Sequence, residues 1–376
     1  MQQRASTGAT KEPGATKDRE LTVLGIETSC DETAAAIVRR DPFGNGTLLS
    51  SIIRSQFKDH EAYGGVVPEI AARAHVQVVD KIVEAALNEA QLDFGDLDGV
   101  AATAGPGLIG GVLVGLVTAK AIALVHDIPL AAVNHLEGHA LTVGLTEGLR
   151  PPYLLLLVSG GHTEFLKVGG AFQYEKLGGT IDDALGEAFD KVAKMLGLGF
   201  PGGPAVERTA ASGDPYRFDL PRPLAGRTRP DFSFSGLKTA VRQVALTHAP
   251  VSRQVAADLC ASFQKAAGDV VRDRLRAAMT IYEASGLARR LVVAGGVASN
   301  RALRTALLKE CEASEYTFHA PPSGLCTDNA AMIAWAGANR IAAGLVDGLD
   351  VAARARWPIS EVSVPVETVK ELSAAE

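Results

Sequence analysis

Leu-Thr-Val-Leu-Gly-Ile-Glu at residues 21–27, Thr-Ser-Cys-Asp-Glu at 28–32 and Thr-Ala-Ala-Ala-Ile-Val-Arg at 33–39 decide the fold. Two apolar runs flank a short polar segment, which predicts a β-hairpin with a polar turn. The pattern returns at 153–168, where two apolar runs flank Ser159-Gly160-Gly161-His162-Thr163. Each hairpin opens a series. The first continues with a strand at 47–54 and a helix at 68–90, where Ile70, Ala74, Val78, Ile82, Ala86 and Ala90 recur every fourth position. A strand at 99–103, a helix at 110–125 and a strand at 129–133 follow. The second continues with a strand at 172–177 and helices at 183–196, 204–212, 234–247 and 252–285. A strand at 290–294 and helices at 299–310 and 328–343 complete it. The order strand-turn-strand-strand, helix, strand, helix occurs twice without a close sequence repeat. The expectation is an α/β protein of two mixed halves, 21–150 and 151–327, that meet at a ligand cleft.

Composition agrees. Of 376 residues, 47% are apolar and 21% charged, which excludes disordered, collagen-like and coiled-coil classes. The net charge of −6 argues against a chain that grips nucleic acid over its whole surface, while a local basic patch stays possible. Cys30, Cys260, Cys311 and Cys326 are far apart and form no CxxC pair, so neither a zinc ribbon nor a disulfide framework is expected, and a reducing cytoplasm fits. No run of 18 apolar residues appears, so no membrane span is expected. The closest stretch, 108–125, is interrupted by glycines and Lys120 and reads as a buried helix. Residues 1–20 are polar and lack the apolar core of a secretory signal, so a disordered tail is expected.

Three glycine-rich turns follow apolar strands, at 105–111, 159–163 and 295–300. Glycines let backbone N–H groups approach phosphate oxygens, and none of the three is a P-loop. Asn134-His135-Leu136-Glu137-Gly138-His139 follows a strand, and Asn134 can cap a helix. His135 and His139 then share one helical face, which suits two imidazole ligands on one metal. Glu137 lies about 200° from His135 and cannot serve as the base of an HExxH site. Two histidines satisfied by local polar groups would give the same pattern.

Asp183, Glu187 and Asp190 form one acidic stripe on a helix whose start also carries Asp182, which a solvated face also explains. The segment 217–242 interleaves Arg222, Arg227, Arg229, Lys238 and Arg242 with Phe232 and Phe234. Such a segment can hold a nucleic acid backbone and stack a base; solvated cations beside two core aromatics are the alternative.

Together the motifs resemble the bacterial and organellar tRNA threonylcarbamoyladenosine transferases, the TsaD family. The resemblance rests on 25–33 (Gly-Ile-Glu-Thr-Ser-Cys-Asp-Glu-Thr), 63–69 (Tyr-Gly-Gly-Val-Val-Pro-Glu), 103–108, 135–139, 158–163, 186–191, 201–204, 231–238, 294–297 with Asn300, and 326–329 (Cys-Thr-Asp-Asn). It runs in order from about Leu21 to Pro358. It implies the duplicated actin- and hexokinase-like fold, with the helix at 328–345 completing the first half. It implies transfer of threonylcarbamoyl from threonylcarbamoyl-AMP to the exocyclic amine of adenosine 37, in tRNAs reading codons that begin with A.

The resemblance further implies one divalent metal, iron or zinc with magnesium possible, on His135, His139 and Asp328. Substrate contacts are implied at Leu157, Val158, Ser159, Gly160, Gly161, Asp190, Gly203, Glu207 and Asn300. Asp31 or Glu32 in the first hairpin turn could accept the amine proton. Arg222, Arg227, Arg229, Lys238 and Arg242 are the candidate tRNA contacts. Implied partners are a related TsaB-type subunit and a small TsaE-type ATPase, in the cytoplasm. A metal-dependent peptidase and a small-molecule kinase of the same fold are the alternatives.

Overall fold

The computed structural model describes residues 19–362 except 61, 62, 64 and 171. Residues 1–18 of the expected polar tail lie outside the described residues. Arg19 and Glu20, at its end, pair with Asp98 and Arg39.

Among the described residues ten strands form two five-stranded sheets. The first holds β1 (Leu21–Glu27), β2 (Glu32–Arg40), β3 (Gly46–Ser55), β4 (Gly99–Gly105) and β5 (Leu130–Asn134), in the order β3-β2-β1-β4-β5. The second holds β6 (Tyr153–Val158), β7 (Thr163–Gly170), β8 (Gln173–Gly179), β9 (Arg290–Ala294) and β10 (Thr317–His319), in the order β10-β9-β6-β7-β8. In both, the opening hairpin and third strand are antiparallel and the last two strands parallel. The two sheets therefore share one topology. Every residue of β1, β4, β5 and β6 is buried. Strands covered on both faces read as continuous apolar runs rather than alternating ones.

Among the described residues nine longer helices cover these sheets: α1 (Pro68–Ala90), α2 (Ile109–His126), α3 (His135–Glu147), α4 (Leu185–Met195), α5 (Gly202–Ala210), α6 (Ser235–Thr247), α7 (Arg253–Glu283), α8 (Arg301–Ala313) and α9 (Ala330–Ala342). Val79, Val83, Leu116 and Ala119 of α1 and α2 pack against Leu24, Ile26 and Val100 on one face of the first sheet. Met332, Ile333, Ala336 and Ile341 of α9 cover its other face. The approach of α9 to β1 is very close: a Cβ at Gly25 would lie 2.4 Å from the Ala330 carbonyl oxygen. On the second sheet, α4 to α8 enclose the largest cluster, around Phe165, Phe189, Phe232, Phe234, Phe263 and Leu259.

Helix α3 lies between the halves. Its Leu136, Ala140 and Val143 pack against Tyr153, Leu155 and Leu157 of the second sheet. Its Leu141 and Leu145 pack against the α9 side of the first half. Helix α2 departs from the expected buried helix. Ile109, Leu113, Val117, Leu124 and Val125 are exposed, because only one of its faces meets β4 and α1. Among the described residues it is the one helix long and apolar enough to cross a membrane, by length and composition.

Candidate metal centre and substrate cleft

The centre starts where β5 ends. The Asn134 side chain accepts a hydrogen bond from Leu136 N at 2.9 Å, capping α3. The next residue is His135, and His139 follows one turn later, with ring centroids 4.8 Å apart and planes at 89°. Asp328, just before α9, meets both rings. Its Oδ1 lies 3.1 Å from His139 Nε2 and 3.4 Å from His135 Nε2. Asn329 caps α9 through Met332 N, which fixes the segment that carries Asp328. One ligand atom from each of His135, His139 and Asp328 lies within 4.8 Å of the others.

A carboxylate missed in the sequence orients this set. Glu27, the last residue of β1, is 1% exposed, and its Oε2 accepts from His135 Nδ1 at 2.9 Å. Thr103 Oγ1 donates to the same oxygen, and Ser29 N donates to Oε1. With Nδ1 engaged, His135 presents Nε2 to the centre, the carboxylate–histidine arrangement common behind metal ligands. Among the described residues His139 Nδ1 is buried without a hydrogen-bond partner, and the ring's Nε2 is linked to Asp328. Two imidazoles and one carboxylate on one side fit a divalent transition metal that keeps open positions.

The electrostatics agree. Burial works to lower the His135 pKa, but the Asp328 and Glu27 carboxylates override it and hold the ring well above the ordinary histidine value. Burial likewise works to raise Asp328, and the two histidines hold it well below the carboxylate range. Metal binding at this cluster would therefore compete with proton binding. In the first hairpin turn, burial and then the Asp328, Asp31 and Glu27 charges push Glu32 well above the usual carboxylate range. Glu32 therefore lies within electrostatic reach of Asp328, with Asp31 beside it.

The second hairpin turn faces the same centre. Ser159 N donates to the His162 carbonyl, and His162 N to Ser159 Oγ. Burial, followed by the His135 and His139 charges, lowers the His162 pKa to about 4. Gly160 and Gly161 are exposed, whereas Leu157 and Val158 are buried in β6, leaving those two only backbone atoms for a ligand. The third turn packs against the second. Gly295 has φ +94°, and a Cβ there would lie 2.3 Å from the Val158 carbonyl oxygen.

Asp190, Gly203, Glu207 and Asn300 gather at the starts of α5 and α8. Asp190 Oδ1 accepts from Gly202 N at 2.7 Å, Glu207 Oε1 from Arg301 N at 2.8 Å, and Asn300 Nδ2 donates to Gln264 Oε1 at 3.0 Å. Asp183 and Glu187 are tied up in ion pairs. Asp183 meets Lys191 and Lys238, and Glu187 meets Lys191.

The basic segment needs correction. Phe232 and Phe234 are fully buried in the core of the second half, with Phe232 stacked on Phe165, so neither can stack a base. Arg222 is held by Asp269 and Lys238 by Asp183. Arg227, Arg229 and Arg242 are exposed, with Arg229 paired to Asp231. Glu137 is fully buried and bonded to Arg340 at 3.0 Å, so it is not free to serve as a peptidase-type base.

Comparisons with known proteins agree with this geometry. The pattern of the TsaD family, described as tRNA N6-adenosine threonylcarbamoyltransferase, matches residues 47–335. Proteins of that name from Brucella canis, Brucella melitensis and Brucella suis are each 60% identical over 349 residues, 92% of this chain and 97% of theirs. Among solved structures, T. kodakarensis HypF superposes with a TM-score of 0.59 at 15% identity, over 86% of this chain and 48% of that one. Full-length HypF in a phosphate- and nucleotide-bound form gives 0.54 at 13% identity, over 86% and 47%. These two likenesses concern the fold. The doubled sheet topology, the ordered motifs and the 60% identity together place this chain in the tRNA N6-adenosine threonylcarbamoyltransferase family.

Proposed function

We propose that this chain transfers the threonylcarbamoyl group of threonylcarbamoyl-AMP to the exocyclic amine of adenosine 37, in tRNAs reading codons that begin with A. The observation that carries this reading is the buried His135–His139–Asp328 group beside the exposed Gly160-Gly161 turn. A mixed carbamoyl–phosphate anhydride is already electrophilic, so the protein's task is chiefly to bind and orient. A metal on the triad, iron or zinc from its donor set and with magnesium possible, supplies Lewis acidity and a template for the threonyl moiety.

The chain's own groups do the rest. Backbone N–H groups of the exposed Gly160 and Gly161 steady the leaving phosphate, while Ser159, whose own N–H is taken by the His162 carbonyl, contributes through its hydroxyl. Asp190, Gly203, Glu207 and Asn300 hold the nucleotide from the second half. Leu157 and Val158 contribute through backbone atoms alone. Asp31 or Glu32 accepts the amine proton from the other wall. Arg227, Arg229 and Arg242 contact tRNA phosphates, with Arg222 and Lys238 reinforcing once released from their carboxylates.

A related TsaB-type subunit and a small TsaE-type ATPase complete the system in the cytoplasm. The exposed apolar row on α2 is a surface suited to a protein partner. Nucleoside analysis of tRNA from depleted cells tests the function. The threonylcarbamoyl nucleoside should vanish and return with the wild-type gene but not with His139→Ala. Its persistence at the normal level would refute the proposal.

A further inference from the structure

At the other end of α3 from the histidines lies a second cavity, of about 550 Å³. It is walled by the β2–β3 turn, the C-terminal part of α3, the 148–152 connection between the halves, the β7–β8 turn and α9. Its rim at Gly144 is nine residues beyond His135, about 13 Å along the helix. The volume suits a small ligand.

Among the described residues the lining holds two arginines, Arg40 and Arg150, and no carboxylate, in a chain of net charge −6. The two guanidinium groups brace one point: a Cβ on Gly44 would lie 3.3 Å from an Nη2 of each. Their hydrogen-bond partners are neutral. Arg150 donates to the Phe43 carbonyl, and Arg40 donates to the Asp41 carbonyl at 3.2 Å and to Asn339 Oδ1 at 3.3 Å. The nearby Asp41 carboxylate is occupied by Asn45, whose N and Nδ2 lie 2.7 and 2.8 Å from its two oxygens. Burial, with Arg150 adding to it, lowers the Arg40 pKa against the pull of Asp41. Two like charges held this close are stabilised by an anion between them. Beside them stand two apolar walls, Trp335 at 4% exposure and Phe172 at 2%.

We propose that this cavity binds a small phosphate monoester, with Arg40 and Arg150 sharing the phosphate and Trp335 and Phe172 flanking its organic part. Two guanidinium forks match the several acceptor oxygens of a dianionic phosphate better than a single carboxylate. Gly44, Gly169 and Gly170 contribute only backbone to the lining.

The chain has two tryptophans, so Trp357→Phe leaves Trp335 as the sole tryptophan, excited selectively at the red edge and local to this cavity rather than to the cleft. The full-length variant is titrated with inorganic phosphate, ribose 5-phosphate and AMP. Ribose 5-phosphate or AMP should change Trp335 emission saturably, and Arg150→Ala in the same background should weaken that response at least tenfold (about the worth of one charge-assisted pair). Arg150→Lys should fall between the two. Unchanged circular dichroism and metal content in Arg150→Ala would show that the cleft and fold are intact. No saturable response up to about 10 mM, or equal affinity in Arg150→Ala, would overturn the proposal. A response to a short RNA but to none of the small phosphates would overturn it as well.

Discussion

Glu27 and His135, from the end of β1 and the start of α3, are joined by a 2.9 Å hydrogen bond that turns the ring's other nitrogen toward Asp328. The link is fully internal, with Glu27 1% and His135 6% exposed. Glu27→Gln keeps the shape but lets the ring choose either tautomer and removes the charge that raises its basicity. Metal affinity should fall about 10- to 100-fold, with circular dichroism unchanged. A competition titration against a chelating dye measures it, and an unaltered affinity would show that Glu27 has no part in the centre.

His139→Ala removes one of three ligands without opening a large core gap. Bound metal should drop below stoichiometric and threonylcarbamoyl transfer should be lost, while the thermal midpoint changes little. Elemental analysis and a melt on the same preparation separate this from simple unfolding. Chelation of the wild type should abolish transfer, and adding back iron or zinc should restore it.

Arg340 reaches Glu137 from α9 at 3.0 Å, and Tyr174 OH approaches the same carboxylate at 3.4 Å. Arg340→Leu leaves a buried carboxylate without its counter-charge, which should cost about 3–5 kcal/mol. Adding Glu137→Leu should recover much of that loss, since removing both partners strands no charge. Urea midpoints of the two single variants and the double variant decide it.

Arg227 and Arg242 are exposed, and neither forms an ion pair among the described residues. Replacing either by alanine should weaken tRNA binding and reduce the log–log salt slope by about one unit for each phosphate no longer neutralised. Arg222→Ala should do less to binding and more to stability, because its guanidinium is held by Asp269. Identical salt slopes for all three variants would exclude this surface from the tRNA footprint.

His75 is fully buried, bonded to Thr33 Oγ1 at 2.8 Å and close to the Cys30 carbonyl at 3.1 Å. Burial lowers its pKa, and the Cys30 carbonyl only partly offsets this. The unfolded chain therefore takes up this proton first. The stabilising contribution is present above the ordinary histidine value of about 6.5 and is lost as pH falls below it. Melts between about pH 5 and 8 should show a steeper acid loss for wild type than for His75→Gln.

The order of elements was legible because each sheet begins with the same short-range signal, two apolar runs around a polar turn. The start of α3 was legible because Asn134 is a capping residue placed directly after a strand. β10 was not, since three residues carry no period. The exposed face of α2 was hidden by a helix apolar on all sides, which gives no hint of which face is covered. Glu27 looked like the polar end of a strand; its role appears only when residues 108 positions apart meet. The same holds for Phe232, Phe234, Arg222 and Lys238, whose partners lie far along the chain. The family resemblance singled out His135, His139 and Asp328 as a set, which spacing alone could not.

Because α3 contributes side chains to the cores of both halves, it works as a shared axle rather than a free hinge. The halves cannot swing apart at the floor of the cleft without pulling Leu136, Ala140 and Val143 out of the second sheet. Any opening of the cleft that spares this packing would have to come from its lips. Discrimination among tRNAs would then fall to the rim, where exposed cations and turns can adapt, while the chemistry beneath is conducted on a fixed bench.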